Sequence, residues 1–223
     1  MNGSRADIFG RLRRANAGAE ERRDPAEIDA RLAAAKANLV PARGQLAPAA
    51  RVDLFVAMAE EAAATVARID APEAIPGEVI RYLRDQNLPM RIVMAPDPAL
   101  RAAGLDKEKL LTVREGPSDG TDETSVTGAF AGVAETGTLM LHSGPAGPTT
   151  LNFLPDDHIA VLRASQVVAS YEEGWARLRA TGGAMPRTVN FITGPSRSAD
   201  IEQTLQMGAH GPRRLHIILI EDL

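Results

Sequence analysis

Three short stretches of the chain carry residue types able to do chemistry. The first is Glu135-Thr136-Gly137-Thr138, inside the run VTGAFAGVAETGTLMLHS from Val126 to Ser143. Gly137 suits the positive φ of a tight turn between two short β-type runs. The stretch therefore reads as strand, turn, strand, with Glu135 at a tip reached by backbone N–H groups and by solvent. A carboxylate there acts as nucleophile, general base or acceptor for a ligand hydroxyl; alternatively it accepts backbone N–H bonds and only shapes the turn.

The second stretch, Thr193 to Glu202, reads TGPSRSADIE and predicts a strand, a loop and a helix over Ala199 to Met207. Gly194, Ser196, Arg197 and Ser198 would then present N–H groups, hydroxyls and a cation to an anionic ligand at a helix N-terminus. Structural capping is the competing reading, with Ser198 as N-cap and Asp200 and Glu202 already compensating the dipole. The third stretch is the glycine-rich loop Gly208-Ala209-His210-Gly211-Pro212, where His210 is a candidate proton carrier or hydrogen-bond donor. The other histidines, His142, His158 and His216, lie in or beside apolar strand runs and read as structural.

These stretches need a scaffold, and the rest of the chain predicts one. Ser4 to about Ala17 and the segment opened by Asp24-Pro25-Ala26-Glu27 read as two helices followed by no strand, hence a helical arm over residues 1–45. From 46 to 223 helix and strand signals alternate, which predicts an α/β domain. Apolar residues at helical spacing extend a helix from Ala49 to Ile69, and another opens at Pro76. Strand runs follow at Arg91–Ala95, Leu110–Val113, His158–Leu162, Thr188–Thr193 and Arg214–Ile220, with a capping box at Ser170–Glu173. Sheets of this class gather ligand sites at the carboxyl ends of their strands, so the three reactive stretches are expected to meet there.

Composition excludes much. The 223 residues contain no cysteine, which removes disulfides, thiolate nucleophiles and cysteine-ligated zinc or iron–sulfur clusters. A net charge of −4 gives no reason to expect nucleic acid. No apolar run approaches the roughly 20 residues of a membrane span, and the N-terminus lacks a signal-peptide core, so the cytoplasm is expected. The acids of the loop Arg114–Ser125 lack the order of a calcium-binding loop, and no metal is expected. Dinucleotide, P-loop, zincin and serine-hydrolase fingerprints are all missing.

The run Gly132-Val133-Ala134-Glu135-Thr136-Gly137-Thr138-Leu139, then Leu154-Pro155 before His158-Ile159, then Gly194-Pro195-Ser196 with Ser198-Ala199-Asp200-Ile201-Glu202, and finally Gly208-Ala209-His210-Gly211-Pro212 together resemble the LutC/YkgG family. This is the lactate utilization protein C group of LUD-domain proteins, and the resemblance covers roughly Arg91 to the C-terminus. It implies a three-layer α/β/α domain of the sugar-phosphate isomerase and coenzyme A transferase type. It also implies a non-redox subunit of a bacterial system that oxidises L-lactate to pyruvate. Iron–sulfur clusters then belong to partner subunits, none to this chain, and any enzymatic role is as part of that complex rather than as a stand-alone oxidoreductase. A small anionic ligand is expected at Thr136, Gly137, Thr138, Gly194, Ser196, Arg197 and Ser198, with Glu135 and His210 as the reactive groups. The alternative is a transferase-like or isomerase-like enzyme using Glu135, although Thr136 stands where the transferase motif has Asn. Homo-oligomerisation, and a swap of the arm between chains, stay open.

Overall fold

The computed structural model describes residues 3–20, 24–34, 36, 39–199, 205–208 and 210–222. Its contacts divide the chain into Met1–Val40 and Pro41–Leu223. The first unit holds α1 (Gly3–Glu20) and α2 (Pro25–Ala34). Asp24 caps α2, its Oδ1 accepting from the Ala26 N–H at 2.9 Å.

In the second unit, period-two alternation in the two longest strands sets the architecture. Along β7 (Asp157–Arg163) Ile159 and Val161 face one way and Ala160 and Leu162 the other. Along β12 (Arg214–Ile220) Ile218 and Ile220 oppose Leu215, Ile217 and Leu219. All are buried, so both faces of the sheet are covered, the setting in which parallel strands are found. With β1 (Thr65–Ile69), β2 (Arg91–Met94), β3 (Thr112–Glu115) and β4 (Thr124–Gly128) they form a six-stranded parallel sheet, order β1-β12-β7-β4-β2-β3.

One face packs on Val79, Tyr82 and Leu83 of α4 (Ile75–Asp85) and Leu100 of α5 (Pro98–Ala102). The other meets Val52, Phe55 and Ala59 of α3 (Pro48–Glu61), together with a second sheet. That sheet has the order β8-β5-β6-β9, from β5 (Ala131–Val133), β6 (Thr138–His142), β8 (Val167–Val168) and β9 (Val189–Ile192). Leu139 and Leu141 of β6 turn toward α3 and the main sheet, whereas Met140 turns with Ala131 and Val133 toward Leu178 of α6 (Tyr171–Ala180). Ser170 caps α6, its Oγ accepting from the Glu173 N–H at 3.4 Å. A mostly parallel central sheet flanked by helices is the class expected; the second sheet, lying between it and α6, is an addition to that expectation.

Four expected elements are corrected. The helix assigned to Ala49–Ile69 ends at Glu61, and Thr65–Ile69 is instead strand β1, separated from it by Ala63 at φ 68°. The strand at Leu110–Val113 lies at Thr112–Glu115. The first arm of the expected hairpin is cut at Gly128, so that β4 joins the main sheet and β5 the second. In place of a helix over Ala199–Met207, β10 (Arg197–Ala199) pairs antiparallel with β11 (Leu205–Met207), while residues 200–204 lie outside the described residues.

A polar cluster pins the amino ends of the central strands. The carboxylate of Asp157, fully buried, accepts from Arg214 Nε at 2.5 Å, Arg214 Nη2 at 2.7 Å and the Tyr82 hydroxyl at 2.8 Å. Tyr82 stacks on His216 with centroids 4.5 Å apart, and His216 Nε2 contacts Glu78 Oε1 at 2.9 Å. Among the described residues no helix is long and apolar enough to cross a membrane.

Candidate functional site

Ser196 brings two of the three reactive stretches together. Its N–H donates to the Pro212 carbonyl at 2.8 Å, its carbonyl accepts from Gly208 N–H at 3.0 Å, and its Oγ accepts from His210 N–H at 3.3 Å. The loop after β9 and the loop before β12 are thereby stitched side by side, and between them and the main sheet lies a cavity of about 260 Å³. Thr193, Gly194, Ser196, Arg197 and His210 line it, with Asn152 and His158 among the further lining residues. At that volume it falls below the roughly 300 to 1,000 Å³ of pockets for drug-sized molecules, so it suits a smaller ligand.

The position corrects the expected one. The cavity opens at the amino ends of β7 and β12, against the carboxyl end of β9 in the second sheet, because Leu215 and His158 are register partners on neighbouring strands and both face that way. The carboxyl ends of β2, β4 and β7 border other hollows, one lined by Asp97, Gly128, Arg163 and Gln166 and one that includes His142, and neither has Glu135, Ser196, Arg197 or His210 in its wall.

The rim is cationic and anchored. Arg197 is exposed and donates from Nη2 to the Ala62 carbonyl at 2.8 Å, at the end of α3. Gly194, at φ 69°, lies so close to that same carbonyl that a Cβ would overlap it, so the rim requires glycine here for both space and conformation. Since β10 occupies the place of the expected helix, the anion-attracting groups of this rim are side chains rather than a helix N-terminus. Ser198 pairs through its backbone with Gln206 in the β10–β11 hairpin.

The floor is made by a residue that the sequence had placed among structural histidines. His158 is wholly buried; its Nε2 lies 2.7 Å from Thr127 Oγ1, and its Nδ1 has no hydrogen-bond partner. Burial pushes its pKa down to about 4, so the ring is neutral near pH 7. The one signal available beforehand was a titratable residue leading an otherwise apolar strand, His158-Ile159-Ala160-Val161-Leu162. His216 also has its pKa lowered by burial, but it faces α4 through Glu78 and Tyr82 and is no part of this cavity. His142 is half-buried, edge-on to Phe130 at 5.1 Å.

Glu135 does not line the cavity. The turn has the expected form, with Gly137 at φ 63°, but its tip is docked rather than exposed. Glu135 is 4% accessible, which corrects the expectation that solvent reaches it. Its Oε1 accepts from the Tyr171 N–H at 3.2 Å, at the first turn of α6, where a carboxylate also meets the positive end of the helix dipole; Oε2 has no partner. A Cβ on Gly137 would overlap the backbone of Met58 and Ala59, so α3 holds the turn down. The turn reaches the cavity only through hydroxyls: Thr193 Oγ1 lies 2.6 Å from Thr138 Oγ1, which lies 2.7 Å from Thr136 Oγ1 and 2.9 Å from the Tyr171 hydroxyl. The acidic loop is occupied with arginines, since Glu115 pairs with Arg101, Asp122 with Arg114 and Glu123 with Arg91.

Residues 120–220 match the LUD domain family. A lactate utilization protein C of Exiguobacterium is 39% identical over 104 residues, 45% of each chain. Another, from Bacillus subtilis, is 31% identical over 153 residues, covering 59% of this chain and 62% of that one. The matched stretches thus span about half the length of such curated relatives. A DUF162-family protein of Deinococcus radiodurans, known from its crystal structure, shares the fold with a TM-score of 0.57 at 23% identity, covering 78% of this chain and 99% of that one. The expected resemblance to the lactate utilization protein C group is borne out.

Proposed function

We propose that the protein, whose residues 120–220 match the LUD domain family, serves lactate utilization as a non-redox subunit that holds a small anionic ligand. The observation that carries the reading is the cavity itself. It has the exposed Arg197 guanidinium and His210 imidazole at the rim, Ser196 and Thr193 in the wall, and the wholly buried ring of His158 among its lining residues. With no cysteine in the chain, this reading leaves the redox chemistry of such a system to iron–sulfur partner subunits and sets its action in the cytoplasm.

Isothermal titration of the full chain with L-lactate and with pyruvate tests this. Saturable binding is expected, weakened at least about tenfold by Arg197→Ala, since a hydrogen bond to a charged group contributes on the order of 1.5 to 3 kcal/mol. Binding by neither the isolated chain nor the chain assembled with its partner subunits would remove the ligand-site reading.

A second reading, acyl transfer through Glu135, is favoured by one observation only, the unpartnered Oε2. It requires the carboxylate to leave its contact with Tyr171 and become accessible. Incubation with acyl-coenzyme A should then give a mass adduct that Glu135→Gln abolishes, and an unmodified protein excludes it.

A further inference from the structure

We infer that the carboxyl ends of the central strands hold a further site, in which Asp97 receives a primary ammonium group, that of a small ligand or of a lysine side chain. The inference does not depend on the anion cavity, which opens at the other ends of these strands. Two adjoining hollows lie here, and Asp97, Gly128, Ala129 and Gln166 line both. The larger, of about 280 Å³, adds His142 and the Gly144–Gly147 turn to its wall.

The topology makes the opening. After β2 the chain passes to α5 on one face of the main sheet, and after β4 it passes to the second sheet on the other. Neighbouring parallel strands whose connections part in this way leave a crevice at their carboxyl ends, where ligands bind in open α/β sheets. Asp97 follows β2 and Gly128 ends β4, so the two meet at that crevice. A Cβ on Gly128 would lie 2.5 Å from Asp97 Oδ2, so glycine here lets the carboxylate lean over the end of the strand.

The charge of the wall selects the ligand. Asp97 is half-buried; its Oδ1 accepts from the Ala99 N–H at 2.8 Å, and its Oδ2 has no partner among the described residues. Nearby cations are taken, Arg101 by both oxygens of Glu115 and Arg163 by Asp222 at 3.4 Å. Asp97 itself has no ion pair among the described residues, and among them no lysine or arginine lines the larger hollow. A partly desolvated carboxylate favours an opposite charge as its neighbour, so this wall attracts a cation and turns an anion away. The single free oxygen narrows the class further. A guanidinium fork is matched by two carboxylate oxygens, one of which is engaged here, whereas an ammonium is a compact charge that one oxygen satisfies. His142 adds an acceptor to the wall, because Nε2 keeps its lone pair when Nδ1–H donates to the Ser143 carbonyl at 3.4 Å.

Titration of the full chain with n-butylammonium, n-butanol and n-butylguanidinium, followed by NMR through the amides of Gly128, Gly144 and Gly147, tests this. Saturable binding of the ammonium is expected, at least about tenfold tighter than that of the isosteric alcohol, since hydrogen bonds between charged groups are the stronger ones. The guanidinium should bind more weakly than the ammonium. Asp97→Asn keeps a capping side chain on α5 without the charge, and it should lower the ammonium affinity about tenfold. Nα-acetyl-lysine amide separates the two sources: binding at least as tight as butylammonium assigns the site to a lysine of a partner protein, and weaker binding assigns it to a free amine. Either result keeps the ammonium site. Absence of saturable ammonium binding, equal affinity for the alcohol, tighter binding of the guanidinium, or an Asn variant with undiminished affinity overturns it. The wild-type comparison decides the matter even if the variant does not fold.

Discussion

Replacing Asp157 by alanine is expected to lower the stability of the domain by about 3 kcal/mol, read as a shift of the urea unfolding midpoint without change in slope. The carboxylate is fully buried and accepts three hydrogen bonds, two from Arg214 and one from Tyr82. Removing one partner of a buried pair costs roughly 3 to 5 kcal/mol because the remaining groups are stranded. The lower end applies, since the Arg214 side chain is 42% exposed and recovers water, whereas the Tyr82 hydroxyl does not. A loss below about 1 kcal/mol would mean that the pair does not pin β7 to β12. Asp157 and Arg214 directly precede His158 and Leu215, so ligand affinity should fall along with stability.

The second large effect is a dependence on pH. His158 is held near a pKa of 4 in the fold, against about 6.5 in an unfolded chain. Between these values the unfolded state binds the proton and the folded state does not, so stability rises with pH across the window and is lost as pH falls from about 6.5 toward 4. Linkage over that interval makes the domain about 2 kcal/mol less stable at pH 5 than at pH 7.5 on account of this ring alone. The lowered pKa of His216 adds a contribution of the same sign. Urea titrations at the two pH values should show the difference shrinking by about 2 kcal/mol in His158→Asn. Equal pH dependence in variant and wild type would show that the imidazole is not buried as described.

Much of this architecture is legible in the residues, and the failures have identifiable causes. Strand β12 was readable because Leu215-His216-Ile217-Ile218-Leu219-Ile220 is continuous and β-branched, and α6 because Ser170 and Glu173 sit at capping-box spacing. The missed break between α3 and β1 lies in Glu60-Glu61-Ala62-Ala63-Ala64-Thr65, which carries no glycine or proline. Only pairing of β1 with β12, some 150 residues later, turns Thr65-Val66-Ala67-Arg68-Ile69 into a strand. The split between β4 and β5 is hidden because every residue of the run Val126–Ala134 is small or apolar, with no charge or proline to mark the break.

For the site, sequence picked the loops that meet through Ser196 but misjudged the two residues whose surroundings come from elsewhere in the chain. Glu135 looks exposed until α6 docks on it. His158 looks like core until Thr127 occupies one nitrogen and the other is left without a partner. The loops meet at the amino ends of the central strands because a second sheet, through β9, closes that end of the domain, which a single parallel sheet does not have.

The last turn of α3 and the residue just beyond it form a shared footing. Gly137 rests on the backbone of Met58 and Ala59, Gly194 on the Ala62 carbonyl, and Arg197 is tethered to that same oxygen. Neither the hairpin carrying Glu135 nor the lip carrying Arg197 can then be retuned in isolation. Displacing those few residues of helix end tilts both, so substitutions at this seemingly remote spot should alter the entrance to the cavity and the buried acid in step.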